Sequence, residues 1–298
     1  MNNSKVYIII VNYNNWEDTI ECMESLLQSN YKDFQIIVVD NKSENNSMEY
    51  IKLWADGLLQ SPSNKNFEIE RVINMPVQKP VKYSFYFENE LNDKNILDLK
   101  KDYNVCLILI QANENKGFAA GNNIGIRYSL LKNDFDSIIL LNNDTVVHSD
   151  AISKIIEAKQ NYGDKAIYGG RIFYYEKPDI IWYDGGCFNE WLGRSIHINL
   201  GKKVKYSNEL KEVSFVTFCY VLIPKYIIEK VGLLDESYFM YVEDLDYSYK
   251  IMKSGYQLYQ VRDSVIWHKI GSSTGNSISE MSSYFYYRNS LIFRMRYT

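Results

Sequence analysis

LLNNDTVV, residues 140–147, carries the apolar stretch 138–141 into Asn142, Asn143 and Asp144 before turning apolar again. A short apolar run bounded by Asn and Asp reads as a buried strand ending in a turn. These residues favour turns because their side chains bond nearby backbone and tolerate unusual dihedrals. Asp144 therefore has two readings: it turns the chain, or it holds something charged.

Toward the N-terminus the same pattern recurs. Residues 6–11 form a β-branched run ending on Asn12-Tyr13-Asn14-Asn15, 34–39 end on Asp40-Asn41, and 105–110 lead to Asn113-Glu114-Asn115. Between them, 17–28 place Ile20, Met23, Leu26 and Leu27 at helical spacing, and 121–131 read as another helix. Strand, helix, strand in this order predicts parallel pairing through right-handed crossovers. Parallel sheets bind ligands at the carboxyl ends of their strands. A turn explains any one of these polar ends; several on one edge predict a site.

The 298 residues suffice for one large α/β domain or two small ones. Composition is globular, 46% hydrophobic and 23% charged, and the net charge of −4 argues against nucleic-acid binding by phosphate neutralisation. Cys22, Cys106, Cys187 and Cys219 lie far apart without a CxxC pair, which predicts reduced thiols rather than a disulfide or zinc site. The run at 6–11 is too short for a signal-peptide core, and no stretch reaches the roughly 18 apolar residues of a membrane span. The expected location is cytoplasmic.

Residues 58–104 break the rhythm with a polar stretch holding Pro76 and Pro80, in which 67–72 and 82–87 alternate enough to pair as a hairpin. This reads as an insertion on the sheet. In the second half, EDLDYSYKIMKSG (243–255) opens on acids and closes on Lys253 and Gly255, the start and stop signals of a helix. The strand-like stretch 256–271 carries His268, while 212–225 suggest a buried strand pair. At the C-terminus, Arg288, Arg294 and Arg296 lie among Leu291, Ile292, Phe293 and Met295. That is either a basic amphipathic segment able to rest on anionic lipid or a helix packed on the domain.

IIIVNYNN (8–15), IIVVDNKS (36–43), NENKGFAAGNNIG (113–125), LLNNDT (140–145), FMYVEDLD (239–246) and WHKIGSS (267–273) stand in the order found in family 2 glycosyltransferases of the GT-A fold. The chain most resembles the rhamnosyltransferase-like and galactofuranosyltransferase-like branch that builds bacterial surface polysaccharides. The resemblance covers nearly all of it outside 58–104. It implies one α/β domain with a Rossmann-like mixed central sheet flanked by helices. Residues 1–147 would bind the nucleotide sugar, and 148–298 would bind the acceptor and carry the catalysis. The implied reaction is inverting transfer from a UDP- or dTDP-sugar to a growing, possibly lipid-linked, glycan.

By the same resemblance, Asp144 and His268 would hold a divalent cation, Mn²⁺ or Mg²⁺, on the donor diphosphate. The family's metal motif is often Asp-x-Asp; here Asn142 replaces the first acid, which leaves that amide for the sugar or ribose beside Asn143. Asp40 matches the acid that relatives use on the base, where a carboxylate can accept the imide N–H of uracil or thymine. Val11 and Tyr13 lie at the first strand's end on the donor side. Asn115, Lys116 and Gly117 lie where relatives wrap the donor. Asp244 aligns with the catalytic acid, a general base for the acceptor hydroxyl, with Glu243 supporting it on the acceptor side. Trp182, Gly185, Gly186 and Phe215 are acceptor-side candidates, because aromatics and open glycine turns suit a sugar's faces. Two rivals stand beside this reading. A sugar-phosphate nucleotidyltransferase should carry a Gly-rich basic loop after the first strand, where NYNNWED stands instead. The other is a non-catalytic glycan- or nucleotide-binding module.

Overall fold

The computed structural model describes residues 5–61, 69, 77–91, 105–189, 194–203, 209–270 and 280–297. In its first half, β1 (Val6–Asn12), α1 (Trp16–Leu27), β2 (Phe34–Asp40) and α2 (Ser47–Ala55) lead to β3 (Tyr83–Phe87) and β4 (Leu107–Gln111). Then come α3 (Phe118–Lys132), β5 (Ser137–Asn142), β6 (Thr145–Val147) and α4 (Ala151–Tyr162). The second half runs β7 (Ala166–Tyr174), β8 (Ile181–Tyr183), β9 (Gly186–Asn189), β10 (Arg194–His197), β11 (Lys211–Glu212) and β12 (Tyr220–Pro224). It closes with α5 (Lys225–Val231), α6 (Glu243–Lys253), β13 (Gln257–His268) and α7 (Glu280–Tyr297).

Among the described residues, 11 strands form one mixed sheet in the order β11-β13-β7-β12-β5-β1-β2-β4-β3, with β6 on β13 and β8 on β7. The pairs β5–β1, β1–β2 and β2–β4 are parallel, as the strand–helix alternation predicts. β12 runs antiparallel between β5 and β7, which makes the sheet mixed. The central strands are buried on both faces, so they read as continuous apolar runs rather than alternating ones. Ile8, Ile10, Ile36 and Val38 pack toward Ile20, Met23 and Leu26 of α1, and Tyr7, Ile9, Ile37 and Val39 toward Ile124, Ile126 and Tyr128 of α3.

The expected hairpin at 67–72 and 82–87 needs correction. Residues 83–87 form β3, which pairs in parallel with β4 and extends the main sheet; nearly all of 67–72 lies outside the described residues. Tyr83 and Phe85 continue the apolar row of Leu107 and Leu109, so β3 covers what would otherwise be an open edge. The expected strand pair at 212–225 also divides differently, because β11 joins β13 and β12 joins β5 and β7.

Candidate active site

In-register pairing of parallel strands aligns their last residues. Asn12 of β1 faces Asp40 of β2, Asp40 faces Gln111 of β4, and Gln111 faces Phe87 of β3. Asp40 is 1% exposed, and both its oxygens are engaged. Oδ1 accepts from Asn12 Nδ2 (2.7 Å) and Ser43 Oγ (2.5 Å), while Oδ2 accepts from Gln111 Nε2 (2.7 Å) and the Ser43 N–H (3.1 Å). A carboxylate has about four acceptor positions. All are filled, so Asp40 organises the rim and has no position left for an imide N–H.

The row continues across β1. Thr19 Oγ1 donates to Asn12 Oδ1 (2.9 Å) and accepts from Asn143 Nδ2 (3.0 Å). Asn143 is therefore turned toward the first turn of α1 and not toward the cleft. Asn142 is partly exposed at the end of β5, and its side-chain amide makes no hydrogen bond among the described residues, while its backbone N–H donates to Cys219 O (2.9 Å). Tyr13 is 43% exposed beyond β1, whereas Val11 packs against α3. A Cβ on Gly121 would stand 2.8 Å from Val11 Cγ1, so glycine permits that approach.

β6 and β13 pair through Thr145 and His268, bringing Asp144 beside the imidazole. His268 Nε2 lies 3.0 Å from Asp144 Oδ1, and both residues are buried. Burial opposes a charged ring, but the Asp144 carboxylate and the Cys219 thiol outweigh it and hold His268 well above its ordinary pKa. The Lys269 N–H donates to Asp144 O (3.0 Å), and Lys269 Nζ bonds Asp18 and Glu21 of α1, fixing the ends of both strands. Trp182 of β8 sets its ring edge-on to His268 at 4.8 Å.

Asp244 is the second residue of α6 and half-buried. Burial pushes its carboxyl up to about 6, partly offset by the N–H groups of Leu245 and Phe218 and by the Thr217 side chain. Glu243 beside it is buried deeper; burial, and then the charge of Asp244, raise it well above the carboxylate range, and its Oε2 has no partner among the described residues. Thr217-Phe218-Cys219 link the two centres, since Thr217 and Phe218 hold Asp244 while Cys219 lies against His268. The entry to α6 is strained: Tyr241 (φ 67°) and Val242 (φ 74°) are both left-handed. Such residues cost roughly 1–3 kcal/mol each. Asn289 of α7, fully buried, donates to Met240 O (2.8 Å) and Tyr241 O (3.0 Å) and braces this turn.

Residues 7–72 match the model of glycosyl transferase family 2, and residues 137–297, over half of the chain, match that of glycosyl transferase family group 2. The chain belongs to the family 2 glycosyltransferases. It is similar to the low-salt glycan biosynthesis hexosyltransferase Agl10 of Haloferax volcanii, 29% identical over 157 residues, 51% of this chain and 48% of that one. It is also similar to the dTDP-rhamnosyl transferase RfbF of Shigella flexneri, 26% identical over 184 residues, 62% of this chain and 57% of that one. The chain spans about half the length of these curated relatives. Among solved structures, GalNAc-T7 with UDP, GalNAc and Mn²⁺ superposes with a TM-score of 0.57 at 14% identity, covering 90% of this chain and 44% of that one. The mannosyltransferase PcManGT of Pyrobaculum calidifontis, with GDP-Man and Mn²⁺, gives 0.55 at 11%, covering 91% and 59%. These likenesses establish the GT-A fold.

Several residues expected to line this family 2 site are placed elsewhere. Gly117 (φ 91°) touches its own chain: a Cβ there would stand 1.9 Å from Phe239 O, because the carbonyl accepts from the Phe118 N–H at 2.7 Å. Asn115 Oδ1 accepts from Asn41 Nδ2 (2.8 Å) and the Gly117 N–H (3.0 Å), shaping that loop. Lys116 pairs with Glu114 at 2.7 Å and borders a charged cleft of about 240 Å³ that Asn41, Glu88, Arg127 and Glu236 also line. Gly186 and Phe215 are buried against each other, Gly185 is buried against Val213 and Gln260, and none offers an open sugar-facing turn; a Cβ on Gly186 would meet the Phe215 ring at 2.4 Å. Of the acceptor-side aromatics, Trp182 alone stays partly exposed.

Asn12 was among the polar strand ends that the sequence marked as a site, whereas sequence reading missed Thr19, Gln111, Thr217, Cys219 and Asn289. Gln111 was detectable in principle as a polar residue closing an apolar strand. The others meet the site only through tertiary packing.

Proposed function

We propose that this chain is a metal-dependent, inverting glycosyltransferase that moves a sugar from a UDP- or dTDP-sugar to a hydroxyl of a growing glycan. The observation that carries the reading is the joining of the Asp144–His268 pair to Asp244 by Thr217-Phe218-Cys219 at the carboxyl edge of the sheet. The solved neighbours, which hold UDP or GDP-Man with Mn²⁺, are in keeping with it.

The two donors fit a hard or borderline cation. One carboxylate and one imidazole suit Mn²⁺ better than Mg²⁺. Among the described residues no three His, Cys, Asp or Glu side chains gather as a complete ligand set, so diphosphate oxygens and water would complete the shell. Bound there, the ion would neutralise charge on the departing diphosphate. Asn142, with its free side-chain amide, faces the same edge and is placed to bond the donor.

Asp244 and Glu243 divide the remaining work by pKa, as adjacent carboxyls in different environments do. Glu243 holds its proton to higher pH than an ordinary carboxyl, because burial and the neighbouring Asp244 oppose its charge, while the Asp244 carboxyl is raised to about 6. Asp244 takes the acceptor hydroxyl proton as that oxygen bonds the anomeric carbon and the carbon–phosphate-oxygen bond breaks on the opposite face. Trp182 offers its ring to the acceptor sugar.

On α7, Arg288 donates to Ser237 O (3.1 Å) and Arg296 pairs with Asp235, so these arginines tie the helix to the domain. Its outward face keeps Tyr284, Tyr287, Leu291 and Met295 exposed. No described helix is long and apolar enough to cross a membrane.

The test is a panel of nucleotide sugars with Mn²⁺, read by thermal shift and by release of nucleoside diphosphate. A ligand at 100 times its Kd stabilises by about 2.7 kcal/mol. One sugar nucleotide should raise the melting temperature and be hydrolysed, with both effects lost in chelator. A panel in which none is bound or cleaved overturns the proposal.

A further inference from the structure

Phe87 and Gln111 belong to no role assigned so far, yet they end the row Asn12–Asp40–Gln111–Phe87 at the carboxyl edge. Gln111 is locked in one orientation. Its Nε2 donates to Asp40 Oδ2 (2.7 Å) and Asp40 O (3.2 Å), and neither of these can donate back. That fixes which end of the amide is nitrogen, so Oε1 points away from Asp40. This oxygen has no partner among the described residues and is not sealed from solvent. Next to it, Phe87 is 48% exposed at the end of β3, with its ring braced edge-on against Phe85 at 5.1 Å. Glu88 ties this end to the rim by accepting from the Asn113 N–H at 2.9 Å.

A fixed acceptor beside an exposed aromatic face is what a flat ring with an in-plane N–H requires. Resting on the nucleotide-sugar reading above, we propose that Gln111 and Phe87 form the base-binding end of the donor cleft. Gln111 Oε1 accepts the imide N–H of uracil or thymine, and the Phe87 ring covers the base. Asp40, saturated by its four donors, acts through Gln111 as a positioning residue. The stretch 58–104 then has a use, since its strand β3 supplies the aromatic wall. Cytosine presents an acceptor at the same ring position, so two acceptors would face each other and CDP should bind more weakly.

Calorimetry with UDP, dTDP and CDP in the presence of Mn²⁺ tests this on the whole chain. Wild type should prefer UDP or dTDP over CDP by about tenfold or more, the scale of one hydrogen bond lost with its partner left unpaired. Gln111→Leu should erase that preference. Phe87→Ala, at an exposed position whose truncation leaves the core intact, should weaken all three nucleotides by roughly 5- to 150-fold, as loss of one base–aromatic contact does. Wild type binding CDP as tightly as UDP overturns the inference, and so does unchanged UDP affinity in Phe87→Ala. Should Gln111→Leu lower every affinity equally along with the melting temperature, its role is structural and the base-reading assignment falls. If wild type binds no nucleoside diphosphate at all, it is the transferase reading that fails.

Discussion

Replacing Asp244 by Asn separates chemistry from stability, and the two should move in opposite directions. The carboxyl is held up to about 6 against an ordinary 3.8. Its ionised form is therefore disfavoured in the fold relative to the unfolded chain. Protons bind more tightly to the folded state, so wild-type stability falls as pH rises from 3.8 through 6 and stays lower above it. At 1.36 kcal/mol per pH unit the difference amounts to about 3 kcal/mol at neutral pH. Asn keeps an oxygen for the N–H groups of Leu245 and Phe218 but carries no charge. The variant should thus melt higher than wild type at pH 7.5, by up to about 6–12 °C at 2–4 °C per kcal/mol. The gain should vanish below about pH 4.

Turnover should fall by the roughly 10²- to 10⁴-fold of a lost general base, with donor affinity near wild type. In wild type, kcat/KM should rise with pH through about 6, an ascending limb shared by the Glu243–Asp244 pair. The measurements are scanning calorimetry across pH 4–8, donor titration, and initial rates of transfer. A variant that melts lower at pH 7.5, keeps more than a tenth of turnover, or loses donor binding in proportion to rate refutes this reasoning. Asp246→Asn is the control. Asp246 is buried under Tyr297 Oη (2.9 Å) and pairs with Lys250 (2.7 Å), so its loss should show in melting temperature and little in turnover.

Asp144→Ala and His268→Ala should each abolish Mn²⁺ binding followed by electron paramagnetic resonance; retention of wild-type affinity in both counts against the pair as ligands. Asn289→Ala removes two hydrogen bonds from the left-handed turn before α6, about 1 kcal/mol each; kcat should drop with donor Kd unchanged, and an unaltered kcat would show that the turn holds itself. Gly117→Ala places a Cβ into Phe239 O in a backbone region nearly exclusive to glycine, and should lower stability by at least roughly 2–4 kcal/mol in denaturant titration. Because Arg288 and Arg296 are spent on the domain, vesicle co-sedimentation should not depend on anionic lipid; a strong dependence lost on neutralising them would reverse that assignment of α7.

Local pattern was enough for the parallel half of the sheet. Strands such as 6–11 and 138–141 are apolar on both faces, and the turn residues after them mark the carboxyl edge where Asp144 stands; His268 and Asp244 became candidates only through the resemblance carried by the order of motifs. Periodicity reports only how a segment meets its immediate surroundings. It cannot tell which strand a segment will pair with, and so 82–87 read as half of a hairpin when it is the sheet's edge beside β4. Nor does it tell whether a polar group has a partner. Asp40 looked available until Asn12, Ser43 and Gln111 were seen to fill its oxygens, and Gly186 and Phe215 looked open until each was found packed on the other. Hydrogen-bond saturation and burial depend on residues distant in the chain, as Asn289 is from Tyr241, and those distances close only when the sheet and its helices come together.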